Sequence, residues 1–277
     1  MSRRYAALVA LAALPSAGAA EPVQPPLVVY AAGSATGVLN AMLERYKAAT
    51  GETVTLRTGP AGLMREKIEA GDTVDLFISA NMEHPETLHA AGKASATVVF
   101  ARNRLCVYAA HGVGMTSANM LSRLLDPKVR IGTSTPKADP GGDYAQAFFE
   151  KADNVKPGAA AILKAKARQV VGGNIENAPA KPMTAAEALA DHGTDVSIGY
   201  CSSRKTTPDT SVDKVEVPPA LAIRANYGMA IVTTSGDARR EAAAGQLALY
   251  LLSDQAQSQL PAYGFSPAAG DRHVIPR

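Results

Sequence analysis

From residue 27 onward, short apolar runs bounded by Gly, Pro and Asp alternate with longer stretches in which apolar residues return every three or four positions. Short runs of this kind read as buried strands, and the periodic stretches as amphipathic helices. The pattern predicts a strand over 27–30, a helix over 36–49, a strand over 53–57, a helix over 62–70 and a strand over 75–79. A second region begins at Asn103-Arg104-Leu105-Cys106-Val107-Tyr108. It repeats the theme with a strand over 129–132, a Pro/Gly-rich turn over 136–142, a helix over 144–152 and a strand over 196–200. Between them, Gly172-Gly173-Asn174-Ile175 begins a Pro- and Ala-rich stretch that regains helical character near Thr184, which reads as a surface insertion. After a polar segment over 206–219, a strand is predicted over 227–232, then helical stretches over 239–251 and 254–260.

Strands alternating with helices in this order imply an α/β protein with a largely parallel sheet, whose ligand sites fall at the carboxyl ends of the strands. The chain divides into two α/β lobes: 21–103, then 104–219, with 220–277 returning to complete the first lobe. The chain would cross between them near Asn103 and near Pro219.

The segment Val28-Val29-Tyr30-Ala31-Ala32-Gly33-Ser34 ends a buried strand in small residues and a hydroxyl at a helix start. First-turn N–H groups have no partner within their helix and the helix dipole adds positive character, so such a start can grip an anion. The plainer alternative makes Ser34 an ordinary N-cap. The turn Gly59-Pro60-Ala61-Gly62 lies at another strand end, where small residues admit close approach to the backbone. The two turns can face one ligand.

Composition removes several function classes. Arg3 and Arg4 precede an apolar run over 5–14, and Ala17-Gly18-Ala19 offers a small-x-small cleavage pattern. Residues 1–20 therefore read as a signal peptide, which predicts a periplasmic protein. Later apolar stretches are too short to span a bilayer, so no membrane anchor is expected. Taking Arg3 and Arg4 from the 28 basic residues leaves 26 against 25 acidic ones, and Trp is absent. Neither a basic stripe nor a stacking platform is present, which excludes nucleic acid as a partner. The histidines His84, His89, His111, His192 and His273 are scattered without metal-ligand spacing, so neither a metal site nor a cofactor is expected. An exported hydrolase would need a base partner for Ser34 and a G-x-S-x-G elbow, and the sequence has neither. Cys106 and Cys201 are the only cysteines; in an oxidising compartment they permit one disulfide, with two buried thiols as the alternative.

The ordered set Ala31-Ala32-Gly33-Ser34, Ile68-Glu69-Ala70-Gly71, Asp75-Leu76-Phe77-Ile78-Ser79-Ala80, Phe100-Ala101-Arg102-Asn103-Arg104-Leu105, Pro140-Gly141-Gly142-Asp143-Tyr144-Ala145, Ile198-Gly199-Tyr200 and Tyr263-Gly264-Phe265 spans nearly the whole mature chain. It resembles the periplasmic molybdate-binding proteins of ABC importers, a branch of the type II solute-binding family. The resemblance implies two Rossmann-like lobes joined by a two-crossing hinge, a monomer, and a cognate ABC permease as partner. It also implies a molybdate or tungstate oxyanion held in the cleft by neutral donors. Carried onto this chain, those donors are Ser34, the backbone of Gly141 and Ile175, and the Tyr200 phenol. It further places Cys106 and Cys201 on neighbouring strands, where they can pair.

This chain departs from that pattern in two places. The second family serine falls at Ala61, so only the N–H of Ala61 or Gly62 can replace its hydroxyl. Losing one hydrogen bond to a charged ligand costs about 1.5–3 kcal/mol. The path from Asn174 to Tyr200 is also longer and contains Pro179-Ala180-Lys181-Pro182-Met183. Both departures allow a pocket retuned for a different oxyanion, a small carboxylate or a metal complex. Asp143 adds an acid near the site and is expected to point outward as a first-turn helix residue. Arg204, Lys205 and Arg224 are expected as solvated charges.

Overall fold

A computed structural model of the chain describes residues 25–172, 184–233 and 236–269. The predicted signal peptide (1–20), Ile175 and nearly all of the predicted insertion lie outside the described residues.

The first half of the fold runs β1 (Leu27–Ala32), α1 (Thr36–Thr50), β2 (Val54–Gly59), α2 (Ala61–Glu69), β3 (Leu76–Ser79) and α3 (Glu83–Ala90). A long strand follows, β4 (Val98–Ala109), then α4 (Met120–Leu125), β5 (Ile131–Ser134), α5 (Pro140–Val155), α6 (Ala159–Lys166) and β6 (Ala167–Val171). The remainder is α7 (Ala185–Asp191), β7 (Val196–Tyr200), β8 (Asp213–Glu216), β9 (Arg224–Ile231), α8 (Ala238–Leu252), α9 (Asp254–Gln257) and β10 (Ser266–Pro267).

The main strand order is β2-β1-β3-β9-β4-β7-β5-β6, with β8 and β10 pairing β4 off this path. β1 pairs in parallel with both β2 and β3, from Leu27↔Val54 to Ala32↔Gly59 on one side. It is buried along almost its full length, as a central parallel strand should be. On α1, Val38, Leu39, Met42, Leu43 and Tyr46 form the apolar stripe that covers the sheet, and the helix stops at Gly51 in a left-handed conformation.

Two hydrophobic cores form. One gathers β1, β3, α1, the start of β4, β9 and α8 around Phe77, Phe100 and Tyr227; the other gathers the end of β4, β5, α5 and β7 around Phe148 and Phe149. The type II periplasmic binding protein fold follows from this arrangement. The sequence pattern places a boundary at Asn103, and β4 runs through that position while changing partners there. β4 pairs with β9 as far as Arg104↔Arg224 and with β7 from Leu105↔Tyr200 onward. Three consecutive polar residues, Arg102-Asn103-Arg104, interrupt the apolar strand period at that point.

The helix expected from residue 144 begins instead at Pro140, because Asp139 caps it and proline suits the first helical position. Cys106 and Cys201 form a disulfide with a Cα–Cα distance of 4.9 Å, tying β4 to the residue that follows β7.

Candidate functional site

Ser34 lies on a short turn of helix, Gly33–Ala35, between β1 and α1. Its Oγ is 2.7 Å from Tyr227 Oη. Tyr227 stands on β9 with no exposed surface, and its oxygen also accepts from Asn103 Nδ2 at 3.3 Å. The same amide donates to Ser202 Oγ at 2.9 Å. Because Asn103 Nδ2 donates a hydrogen bond to Tyr227 Oη, the Tyr227 O–H is free to donate to Ser34 Oγ. The serine O–H is then left for an outside acceptor.

Tyr200 closes β7 beside this relay. Its ring centroid is 5.7 Å from that of Tyr227 and 6.2 Å from that of Tyr144, both edge-on. The Tyr200 hydroxyl is buried and has no hydrogen-bond partner among the described residues. Burial, reinforced by Tyr227 and Asp139, pushes its pKa well above the usual phenol value, so it is a proton donor at neutral pH. Burial raises Tyr227 in the same way and lifts Tyr144 to about 12. Tyr144 donates from α5 to Ala80 O at 3.1 Å, across to the carboxyl end of β3.

The first turn of α5 forms the facing wall. A Cβ on Gly141 would sit 3.6 Å from the Tyr200 ring and 3.1 Å from Ser134 Oγ. Gly141 N–H, expected to face a ligand, donates instead to the Asp139 carboxylate at 3.2 Å. Asp139 therefore brings a buried carboxyl group to the site. Burial raises its pKa, against the lowering effects of Gly141 N–H and the Ser134 hydroxyl, and Asp143 raises it further. Asp143 itself turns back to accept from Lys137 N at 3.0 Å.

The first turn of α2 is also engaged. Gly62 N–H donates to Ala138 O at 3.0 Å and Leu63 N–H to the same oxygen at 3.4 Å, joining the two halves of the molecule. A Cβ on Gly62 would lie 2.0 Å from Lys137 O, so only glycine permits this approach. Gly62 therefore acts as a contact between lobes in this structure, and its N–H is not a free donor. Ala61 is fully buried at the start of α2.

A similar contact seats the residues after β7 on α1, where a Cβ on Gly37 would meet Arg204 O at 2.0 Å. The Arg204 guanidinium lies within 3.7 Å of the Cβ position of Gly33, next to Ser34. Arg224 borders a cavity of about 370 Å³ with Asn81, Glu83, Asp143, Tyr144 and Asn226. Lys205 is exposed. The structure thus brings Ser34, Tyr200 and Gly141 to one place, and sets Ala61 and Gly62 against the Ala138 turn.

Sequence reasoning missed Tyr227, Asn103 and Asp139. An Asp-Pro pair ahead of a periodic stretch is a readable cap signal and would have found Asp139. An aromatic residue in a strand reads only as core, so Tyr227 left no such trace. Among the described residues, the one grouping with metal-like proximity is Cys106, Cys201 and Glu216, and its sulfurs are bonded to each other.

A two-core α/β fold with polar groups from both cores converging between them has a cleft suited to a small solute. The chain belongs to the bacterial extracellular solute-binding protein family, whose model matches residues 27–266. The uncharacterised protein PM1146 of Pasteurella multocida is 38% identical over 183 residues, covering 65% of this chain and 76% of that protein. The periplasmic molybdate-binding protein of Azotobacter vinelandii superposes with a TM-score of 0.68 at 17% identity, covering 91% of this chain and 100% of that one. The sulfate-binding protein SubI of Mycobacterium tuberculosis H37Rv does so with a TM-score of 0.69 at 16% identity, covering 88% of this chain and 87% of that one. At these identities the superpositions establish the fold. No helix among the described residues is long and apolar enough to cross a membrane.

Proposed function

We propose that this protein captures a small oxyanion-bearing solute in the periplasm, in the cleft between its lobes, and delivers it to an ABC permease. The observation that carries this reading is the convergence of Ser34 from one lobe with the unpartnered, buried Tyr200 hydroxyl of the other, beside the first turn of α5. Donors contributed by both lobes meet only when the lobes are together, so the solute would stabilise the closed form, and closure is what a permease can recognise.

The resemblance puts molybdate and tungstate first among the solutes to test. Both structural neighbours described above are named for oxyanions, molybdate in one and sulfate in the other. A second reading, a pocket retuned for a different solute, is favoured by Ala61, by the engaged Gly62 N–H and by the Asp139 carboxylate.

Isothermal calorimetry with molybdate, tungstate, sulfate and phosphate, paired with small-angle scattering, tests the proposal. Saturable binding of one or more anions with a decrease in radius of gyration is expected. No response to any of the four at millimolar concentration would defeat the oxyanion reading.

A further inference from the structure

Resting on the oxyanion reading of the same cleft, we propose that Arg204 is a solute-binding residue whose guanidinium brings a full positive charge to the anion. The class of solute it fits is a fully ionised tetrahedral oxyanion, which offers paired acceptor oxygens to the guanidinium fork.

The Cβ position of Gly33, directly after β1, is approached by two groups: the Arg204 guanidinium at 3.7 Å and Gly59 O at 3.9 Å. Gly59 ends β2 and opens the turn in which Ala61 stands where the resemblance calls for a second serine. The guanidinium therefore sits at the carboxyl ends of two neighbouring parallel strands, β1 and β2, the end of the sheet at which α/β folds bind their ligands. A cation there stands beside both the Ser34 turn and the Ala61 turn, and it supplies donors that alanine lacks.

The backbone that presents Arg204 is fixed before any solute arrives. Cys201 is bonded to Cys106 on β4. Ser202 Oγ accepts from Asn103 Nδ2 at 2.9 Å, and Ser203 N–H donates to Tyr263 O at 2.9 Å. Arg204 then lies on α1, where a Cβ on Gly37 would stand 2.0 Å from the Arg204 carbonyl oxygen. Residues 201–204 are thus held in succession by β4, by the Tyr263 turn and by α1. Only the arginine side chain remains to be ordered, which keeps the entropic cost of aiming it at an anion small.

The guanidinium is also uncommitted. It makes no ion pair or hydrogen bond among the described residues, whereas Arg65, Arg104, Arg130 and Arg240 are each paired with a carboxylate. Arginine stays protonated throughout the working pH range and is more weakly hydrated than lysine, so an anion displaces its water at lower cost. Arg204 is exposed, as a surface arginine would be, yet its guanidinium lies next to the residue that brings the Ser34 hydroxyl to the site.

The test is a calorimetric titration of molybdate, tungstate, sulfate and phosphate into wild-type protein, Arg204→Gln and Lys205→Gln. The lysine variant removes the same charge one position along the chain. Both side chains are exposed, so both variants should fold, and melting temperature checks this. Arg204→Met, which keeps an apolar stem, serves if the glutamine variant melts early. The anion bound most tightly by the wild type is expected to lose about ten-fold to a hundred-fold in affinity in Arg204→Gln. Its affinity should also fall less steeply with added salt than that of the wild type. Lys205→Gln is expected to bind as the wild type does. Wild-type affinity in the Arg204 variant overturns the proposal while leaving the oxyanion reading intact. Equal losses in the two variants do the same, because a diffuse surface field then accounts for the effect. Absence of wild-type binding to all four anions overturns both.

Discussion

The Ser34 and Tyr227 hydroxyls lie 2.7 Å apart, although 193 residues separate them along the chain. Tyr227 belongs to the core by its ring and to the cleft by its oxygen, and Ser34 is thereby held by a residue that cannot move freely. Asn103 fixes the far end of this relay from the strand that joins the two lobes.

Tyr200 and Tyr227 should respond oppositely to loss of the hydroxyl. Tyr200→Phe removes a buried oxygen without a partner, so the melting temperature is expected to hold or rise, while anion affinity falls by about 1.5–3 kcal/mol, ten-fold to over a hundred-fold. Tyr227→Phe breaks bonds to Ser34 and Asn103 and should lower stability by about 1–3 kcal/mol as well as affinity. Thermal denaturation alongside calorimetry reads both; equal stability losses in the two variants would contradict the assignment of Tyr200.

Gly62→Ala inserts a methyl where Lys137 O stands 2.0 Å away, so the α2 start and the Ala138 turn must separate. The closed form becomes rarer and apparent affinity falls about ten-fold or more through the lost population. Scattering should report a larger radius of gyration at saturating anion; a curve identical to wild type rules out the contact as a closure element.

Asp75 is 3% exposed and bonds Arg240 through both carboxylate oxygens, at 2.5 and 2.9 Å, while also accepting from Val28 N at 2.7 Å. Arg240→Ala leaves that carboxylate buried without its cation and is expected to cost about 3–5 kcal/mol. Urea denaturation measures it, and a loss under 1 kcal/mol would mean that water reaches Asp75.

The Cys106–Cys201 bridge spans 95 residues. Closing so long a loop limits the unfolded chain, so the double Cys→Ala variant should lose about 2–5 kcal/mol. Thiol titration of denatured, unreduced wild-type protein should find no free thiol.

His84 is buried, and burial, with the Arg65 charge adding to it, holds its imidazole below the usual range. The unfolded chain takes up this proton at about pH 6.5 and the folded chain only at lower pH. Stability contributed by neutral His84 is therefore present above about pH 6.5 and declines as the pH falls below it. Melting temperature followed from pH 7.5 to 5 should drop more steeply for wild type than for His84→Gln; parallel curves would sink the idea.

The hydrophobic pattern made α1 and α8 legible because each is long and periodic, and β1 and β7 because each is a short run rich in apolar residues. Ser34 was singled out by the strand end on which it sits, and Tyr200 as a candidate donor by the resemblance alone. What the pattern lacked depends on distance. The capture of Gly62 N–H by Ala138 arises from a contact between remote turns, and no local period encodes it. Asp143 is the more conspicuous acid of the Pro/Gly-rich segment, yet the side chain directly before Pro140, that of Asp139, is the one that reaches the Gly141 amide, while Asp143 accepts from Lys137 N.

β4 runs unbroken through both cores, and the disulfide clamps it from Cys106 onward. Asn103 and Arg104 are where this strand passes from one core to the other. Asn103 is also the first member of the hydroxyl relay, so the junction between the cores is hydrogen-bonded directly to the residue that holds Ser34. A solute that engages Ser34 thereby reaches, through two hydroxyl contacts, the stretch of backbone shared by both cores.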